Sequence, residues 1–191
     1  DPFYLAIEDA ARTISDFSEK QTFLNTVYER FFQGFSKEQA DTHGVVYTPQ
    51  PIVDFMVSSV DEVLQREFGL SLSSEGVKIL DPATGTGTFI VNILRRLNRR
   101  DLKRKYRDEL FANEIMLLPY YIASLNIEHA YYDLAGEYEP FEGICFADTL
   151  DLAEAQQLPL FAEENTERVQ RQKNAEITVI SGNPPYNVGQ M

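Results

Sequence analysis

An α/β fold built on a parallel sheet is the architecture that the sequence predicts, and three observations predict it. Short apolar runs ending in a polar or acidic residue recur four times, at 77–81, 110–114, 144–148 and 176–183. Stretches with helical spacing stand between them. The first run opens into a glycine-rich turn, Asp81-Pro-Ala-Thr-Gly-Thr-Gly87, before its helix begins. Strand, loop and helix repeated in that order give strands that all point one way, with a ligand rim at their carboxyl ends.

Composition limits what else the chain can be. With 191 residues and 43% hydrophobic content, it can bury one sizeable core and a small appendage. A net charge of -13 argues against a strong bulk attraction to nucleic acid or to a membrane surface, so any DNA grip has to be local or supplied elsewhere. Cys145 is the single cysteine, which excludes an internal disulfide. Together with two histidines it shows no metal-ligand spacing, so no metal is expected and a reducing cytoplasm is the expected setting. No apolar run is long enough to cross a bilayer, and no signal-peptide pattern opens the chain.

In chain order, Phe3, Ile7, Ala10, Ile14 and Phe17 predict one amphipathic helix, and Leu24, Val27 or Tyr28, Phe31 and Phe32 a second. Residues 33–46 lose that periodicity and read as a loop. We therefore expect an N-terminal helical segment or spacer over 1–44 and the α/β domain over 45–191. Thr48 suits a helix N-cap and Pro49 the first helical position, with Ile52, Phe55, Met56, Val60, Val63 and Leu64 as the expected buried stripe.

Val77, Ile79 and Leu80 then predict the first strand, and Phe89, Ile90, Ile93, Leu94 and Leu97 the helix behind the turn. Gly85 and Gly87 permit a tight bend and a close approach to a ligand. The third glycine of the dinucleotide fingerprint is replaced by Ile90, and no Gly-Lys-Ser/Thr phosphate cradle follows. The basic cluster from Arg95 to Arg107 belongs to the far end of that helix, so it is expected to point away from the rim and to suit the helix dipole. Glu114 closes the second strand, where doubly wound folds place an acid against ribose hydroxyls. The helix after it carries His129 as a structural histidine. Asp148 closes the third strand, and 150–175, rich in Glu, Gln and Asn, reads as a solvated helix or an insertion with a wet charged surface. The fourth strand runs into Gly182-Asn-Pro-Pro-Tyr186, a stiff loop in which the Asn183 amide and the Pro184 carbonyl can converge on an amino group. Tyr186 offers a flat face to a planar base.

Taken in order, Tyr47-Thr48-Pro49, the 81–87 loop, Glu114, Asp148 and Asn183-Pro-Pro-Tyr186 resemble the gamma-type DNA adenine-N6 methyltransferases from about Gly44 onward. The stretch before it is similar to the spacer and methylase junction of single-polypeptide restriction-modification enzymes. The resemblance implies the first four parallel strands of a Rossmann-like class I methyltransferase sheet, with S-adenosyl-L-methionine as cofactor. It implies that Thr48, between Tyr47 and Pro49, lies near the methionine end of the cofactor. Asp81, Pro82, Ala83, Gly85, Gly87, Thr88 and Phe89 belong to the loop around it. Glu114 is implied for the ribose and Asp148 for the adenine amino group. Asn183, Pro184, Pro185 and Tyr186 form the implied catalytic loop, holding a flipped adenine of double-stranded DNA.

The same loop chemistry would also serve a protein-glutamine or RNA adenine methyltransferase, and a methylase-like scaffold without catalysis is a third class. The start at Asp1 and the stop at Met191 lead us to expect a piece of a longer enzyme. Its DNA contacts would then run through the complete protein and its other domains, and the piece alone would be inactive.

Overall fold

The computed structural model describes residues 48–150 and 164–185. The predicted helices of 1–44, the loop of 33–46, Tyr47 and Tyr186 lie outside the described residues. So does part of the 150–175 stretch.

Four strands form one parallel sheet: β1 (Ile79–Asp81), β2 (Leu110–Glu114), β3 (Ile144–Phe146) and β4 (Val179–Ile180). Their order is β3-β2-β1-β4. The chain steps outward from β1 to β3 and then returns to the far side of β1, so the direction of winding reverses between β1 and β4. In open parallel sheets a crevice forms at such a reversal, outside the carboxyl ends of the strands. Registers of Ile79 with Leu110, Ala112 with Ile144 and Ile79 with Val179 bring all four carboxyl ends to one rim.

The helices are α1 (Gln50–Val63), α2 (Thr88–Arg96), the single turn α3 (Leu102–Arg104), α4 (Leu117–Ala135) and α5 (Glu164–Lys173). α1, α2 and α4 cover one face of the sheet. Ile79, Leu110, Ala112 and Ile144 meet Val53, Val57, Ile90, Leu94, Ala123 and Ile127 there in one apolar core. Successive strand residues point to opposite faces, so Leu80 and Phe111 face the other way. α5 lies on that second face, with the Arg171 guanidinium 5.8 Å from the centre of the Phe111 ring. Under α4, Tyr106 and Tyr131 stack at 3.8 Å with Phe141 beside them, adding oriented ring contact to simple area burial.

Three expectations about helices need correction. Pro49, and not Thr48, caps α1: the amides of Ile52 and Val53 both bond to the Pro49 carbonyl. The buried stripe falls on Val53, Val57 and Leu64, while Ile52 and Phe55 are 49% and 72% exposed. Packing against α2, fixed by the Asn92 amide on the Asp54 carboxylate, selects that phase over the more apolar one. α5 is also more than a wet surface. Val169 and Gln172 are buried on it, Arg168 pairs with Glu142 at 2.7 Å and with the Tyr120 hydroxyl at 3.0 Å, and Arg171 donates to the Glu142 carbonyl.

The basic run after α2 behaves as expected. Arg96 meets Asp54, Lys103 meets Glu137 and Arg107 meets Glu139, so acids of this same chain engage these cations. Lys105 is fully buried at the amino end of the sheet. Its ammonium donates to the Val77 carbonyl at 2.6 Å and to Glu109 at 2.8 Å.

Candidate active site

The rim is assembled from backbone outward, starting at β1. Asp81 is its last residue and has no exposed surface. Its Oδ1 accepts the Ala83 amide at 3.2 Å, which turns the chain sharply after the strand. From the neighbouring strand the Ser181 amide bonds to the Leu80 carbonyl at 3.0 Å, and this places Gly182 against the same carboxylate. A β-carbon on Gly182 would be driven into Asp81 Oδ1 and to 3.1 Å from Pro82. The loops that follow β1 and β4 are therefore in van der Waals contact, and the contact requires glycine. Burial pushes the Asp81 carboxyl up to about 7, with the Ala83 amide pulling against the rise and the Glu114 charge adding to it.

β2 supplies the next support. Glu114 accepts the Gly85 amide on Oε2 at 2.9 Å and the Met116 amide on Oε1 at 2.8 Å, so one carboxylate holds the glycine loop and starts the turn into α4. The Thr84 amide reaches the Asn113 carbonyl at 2.9 Å. Beyond β3, the Thr149 hydroxyl donates to the Pro82 carbonyl at 2.5 Å and accepts from Asn113 Nδ2 at 3.0 Å. Asp148 sits in the loop past β3, two residues after the strand ends, and its Oδ1 accepts the Leu150 amide at 2.9 Å. All four loops are thus tied to one another at the carboxyl rim.

The two glycines of the turn have different tasks. Gly85 has φ +56 and nothing within 4 Å of where a β-carbon would stand, so it faces open space at the rim. Gly87 has φ +85, and a β-carbon there would crowd Ile127 at 3.1 Å and the Ala123 backbone at 3.2 Å. That glycine lets α2 press against α4. The carbonyl between them, on Thr86, is capped by Asn126 Nδ2 at 2.9 Å. Thr88 and Phe89 are buried, Phe89 within the apolar core, so they support the loop from beneath. Pro82 and Ala83 are half-buried on its outer side.

At the other end of the crevice Asn183 is half-buried and donates through Nδ2 to the Thr48 hydroxyl at 3.0 Å. Thr48 and Asn183 are 135 positions apart in sequence. Pro49, Pro184 and Pro185 are exposed around them.

Buried polar atoms gather on these loops and strand ends: Asn113 Oδ1 and Ser181 Oγ lack a hydrogen-bond partner among the described residues, and Asp81 Oδ2 and Thr84 Oγ1 have at most each other. Buried polar atoms are rarely left so, and their gathering at the carboxyl rim fits a place that polar ligand groups complete. Three contributors escaped sequence reasoning: Gly182, Asn113 and Thr149. The only available signals were a polar residue just ahead of Glu114 and a glycine just ahead of Asn183.

A parallel sheet whose winding reverses beside β1, with an acid at the end of β1, a second at the end of β2 and an Asn-Pro-Pro loop beyond β4, defines the class. It is the Rossmann-like sheet of class I methyltransferases, here represented by four strands. The chain belongs to the N-6 DNA methylase family, whose sequence profile matches residues 19–190. An adenine-specific methyltransferase PglX from Streptomyces coelicolor is 24% identical over 200 residues, covering 86% of this chain and 16% of that protein.

Among solved structures, the DrdV–DNA complex matches at 46% identity and a TM-score of 0.93, over 99% of this chain and 19% of that one. The ATP-dependent Type ISP restriction-modification enzyme LlaBIII bound to DNA matches at 43% identity and a TM-score of 0.80, over 93% of this chain and 13% of that one. The chain spans less than a fifth of the length of each of these proteins.

Proposed function

We propose that the chain carries the cofactor crevice and catalytic loop of a DNA adenine-N6 methyltransferase, acting within a larger restriction-modification polypeptide in the cytoplasm. The observation that carries this reading is the juxtaposition at one rim of the Asp81 and Glu114 loop with the Asn183 loop, bridged by Gly182 and held by Thr48. Membership in the N-6 DNA methylase family supports adenine as the target, and likeness to proteins solved with DNA supports a duplex substrate over RNA or a glutamine side chain. Among the described residues no helix is long and apolar enough to cross a membrane.

The residues fit S-adenosylmethionine. Glu114 holds the glycine loop through the Gly85 amide and closes β2 at the place where doubly wound folds set an acid against ribose hydroxyls. Asp148 has one oxygen taken by Leu150 and a second to accept an adenine amino group. Gly85 leaves the space beside them clear. The Asp81 carboxyl, with only the Ala83 amide and the Thr84 side chain beside it, gives the cradle a further acceptor at its floor. Bound there, the cofactor supplies a methyl group already activated by its sulfonium, so the chain needs no strong base.

The work left to the protein is orientation. Asn183 Oδ1 and the Pro184 carbonyl accept the two N–H bonds of the target amine, which aligns its lone pair and favours the tetrahedral nitrogen. Tyr186 stacks on the flipped base. Calorimetry with S-adenosylmethionine and methylation of adenine-containing duplexes by the full-length protein test the reading. Asn183→Ala is expected to lose at least about a hundredfold in rate with cofactor affinity kept. A variant that methylates at the parent rate, or a parent that methylates RNA or a glutamine peptide in preference to DNA, would overturn it.

A further inference from the structure

The catalytic asparagine has a requirement that its backbone does not meet. Gly182 against Asp81, the Ser181 amide on Leu80 and the two prolines after it fix the path of the loop. The terminal torsion of an asparagine side chain stays broad and roughly two-fold, so its oxygen and nitrogen can exchange places at small cost. Only one of the two placements works with an amine as partner. An amide oxygen accepts from N6, whereas an amide nitrogen in the same spot would set donor against donor.

We infer that Thr48 is a positioning residue for this amide: its hydroxyl oxygen accepts from Asn183 Nδ2 and so holds the amide with Oδ1 toward the target amine. The inference rests on the function proposed above and adds a residue to it. The bond is 3.0 Å long and spans 135 positions, joining the residue just before α1 to the loop after β4. Nothing among the described residues donates to Asn183 Oδ1. With a base in place, one chain of hydrogen bonds is self-consistent, running from N6–H to Asn183 Oδ1 and from Asn183 Nδ2–H to Thr48 Oγ1. A hydroxyl both donates and accepts, so the bound amine fixes the sense of the pairing: N6–H needs Oδ1, which leaves Nδ2 for Thr48 to hold.

This also accounts for the failure of Thr48 to cap α1. Its oxygen is committed across the crevice, and the Pro49 carbonyl opens the helix in its place.

The test is a pair of substitutions in the full-length protein. Thr48→Val keeps the shape and removes the acceptor, while Thr48→Ser keeps the acceptor. With kcat read at saturating cofactor and duplex, Thr48→Val is expected to fall about tenfold, the worth of one orienting hydrogen bond. Thr48→Ser should stay within about twofold of the parent. A Thr48→Val protein with parental kcat at saturation, its whole loss lying in cofactor affinity, would overturn the inference and make Thr48 a cofactor contact only.

Thermal melts of Thr48→Val, Asn183→Ala and the double variant give a readout independent of activity. Coupled residues lower the melting point by less together than the sum of the two single shifts. Strictly additive shifts would sink the inference even if methylation is confirmed. If the parent does not methylate adenine at all, the proposed function fails and the melting cycle alone decides the Thr48 pairing.

Discussion

Asp81→Asn separates what this carboxyl does for the site from what it costs the fold. The group is fully buried, and its pKa is pushed from 3.8 to about 7, chiefly by loss of water. The folded state then holds the proton more tightly than the unfolded chain does. The sign follows: this contribution to stability is complete below about pH 4 and is lost as the pH rises through about 7. Three pH units at about 1.4 kcal/mol each set the loss at about 4 kcal/mol. Asparagine keeps an oxygen for the Ala83 amide and removes the titration, but its new N–H groups take the place of Oδ2 and cost about 1–3 kcal/mol if they stay unpaired. The variant is therefore expected to lie within about 1 kcal/mol of the parent at pH 5, where the parent has already lost about 2 kcal/mol, and to be more stable by about 1–3 kcal/mol at pH 8. Urea unfolding of both proteins at pH 5, 6, 7 and 8 reads this directly. Cofactor affinity should fall in the same variant, since an acceptor at the cradle floor has been replaced by a donor. Stability curves that run parallel across the four pH values would refute the account of Asp81 as a buried carboxyl that ionises near neutrality.

The glycine turn and the buried lysine give further tests. Gly87→Ala should cost about 2 kcal/mol in a denaturant titration, because a left-handed φ and contacts of 3.1–3.2 Å with Ile127 and Ala123 both oppose it. Gly85→Ala meets no atom within 4 Å, so its stability cost should be nearer 1 kcal/mol while calorimetry shows cofactor affinity falling by tenfold or more. Equal behaviour of the two variants would remove the distinction drawn between them. Lys105→Met should lose about 2–3 kcal/mol, because the Val77 carbonyl is left bare and Glu109 keeps only Arg104 and the Gly76 amide. A melting temperature equal to the parent's would show that the buried ammonium contributes nothing.

Fold and site were legible to different depths. Each strand's polar terminus follows an apolar run, and that pattern is local, so Asp81, Glu114 and the Asn183 loop were placed correctly on the rim before any coordinates. β3 and β4 proved shorter than their apolar runs: pairing covers Ile144–Phe146 and Val179–Ile180. The buried stripe of α1 was legible in part: Leu64 is in the core and Met56 and Val60 pack against it as expected, whereas contact with α2 covers Val53 and Val57 in place of Ile52 and Phe55. α5 looked solvated because its burial rests on Arg168, Arg171 and Gln172, residue types that reveal their partners only once Glu142, Tyr120 and Phe111 are nearby.

The cross-loop bonds were beyond the reach of a pattern, and they are what ties the rim together. Gly85 on Glu114 spans 29 positions, Thr149 on Pro82 spans 67 and Asn183 on Thr48 spans 135. Each of the three joins a different pair of segments at the same end of the sheet, so displacing one loop strains its neighbour. A glycine turn alone would be free to open, and an Asn-Pro-Pro loop alone would be free to swing. Tied together they would meet a substrate already arranged, and the methyl transfer proposed above, which depends on alignment more than on acid or base strength, would need that prior arrangement above all.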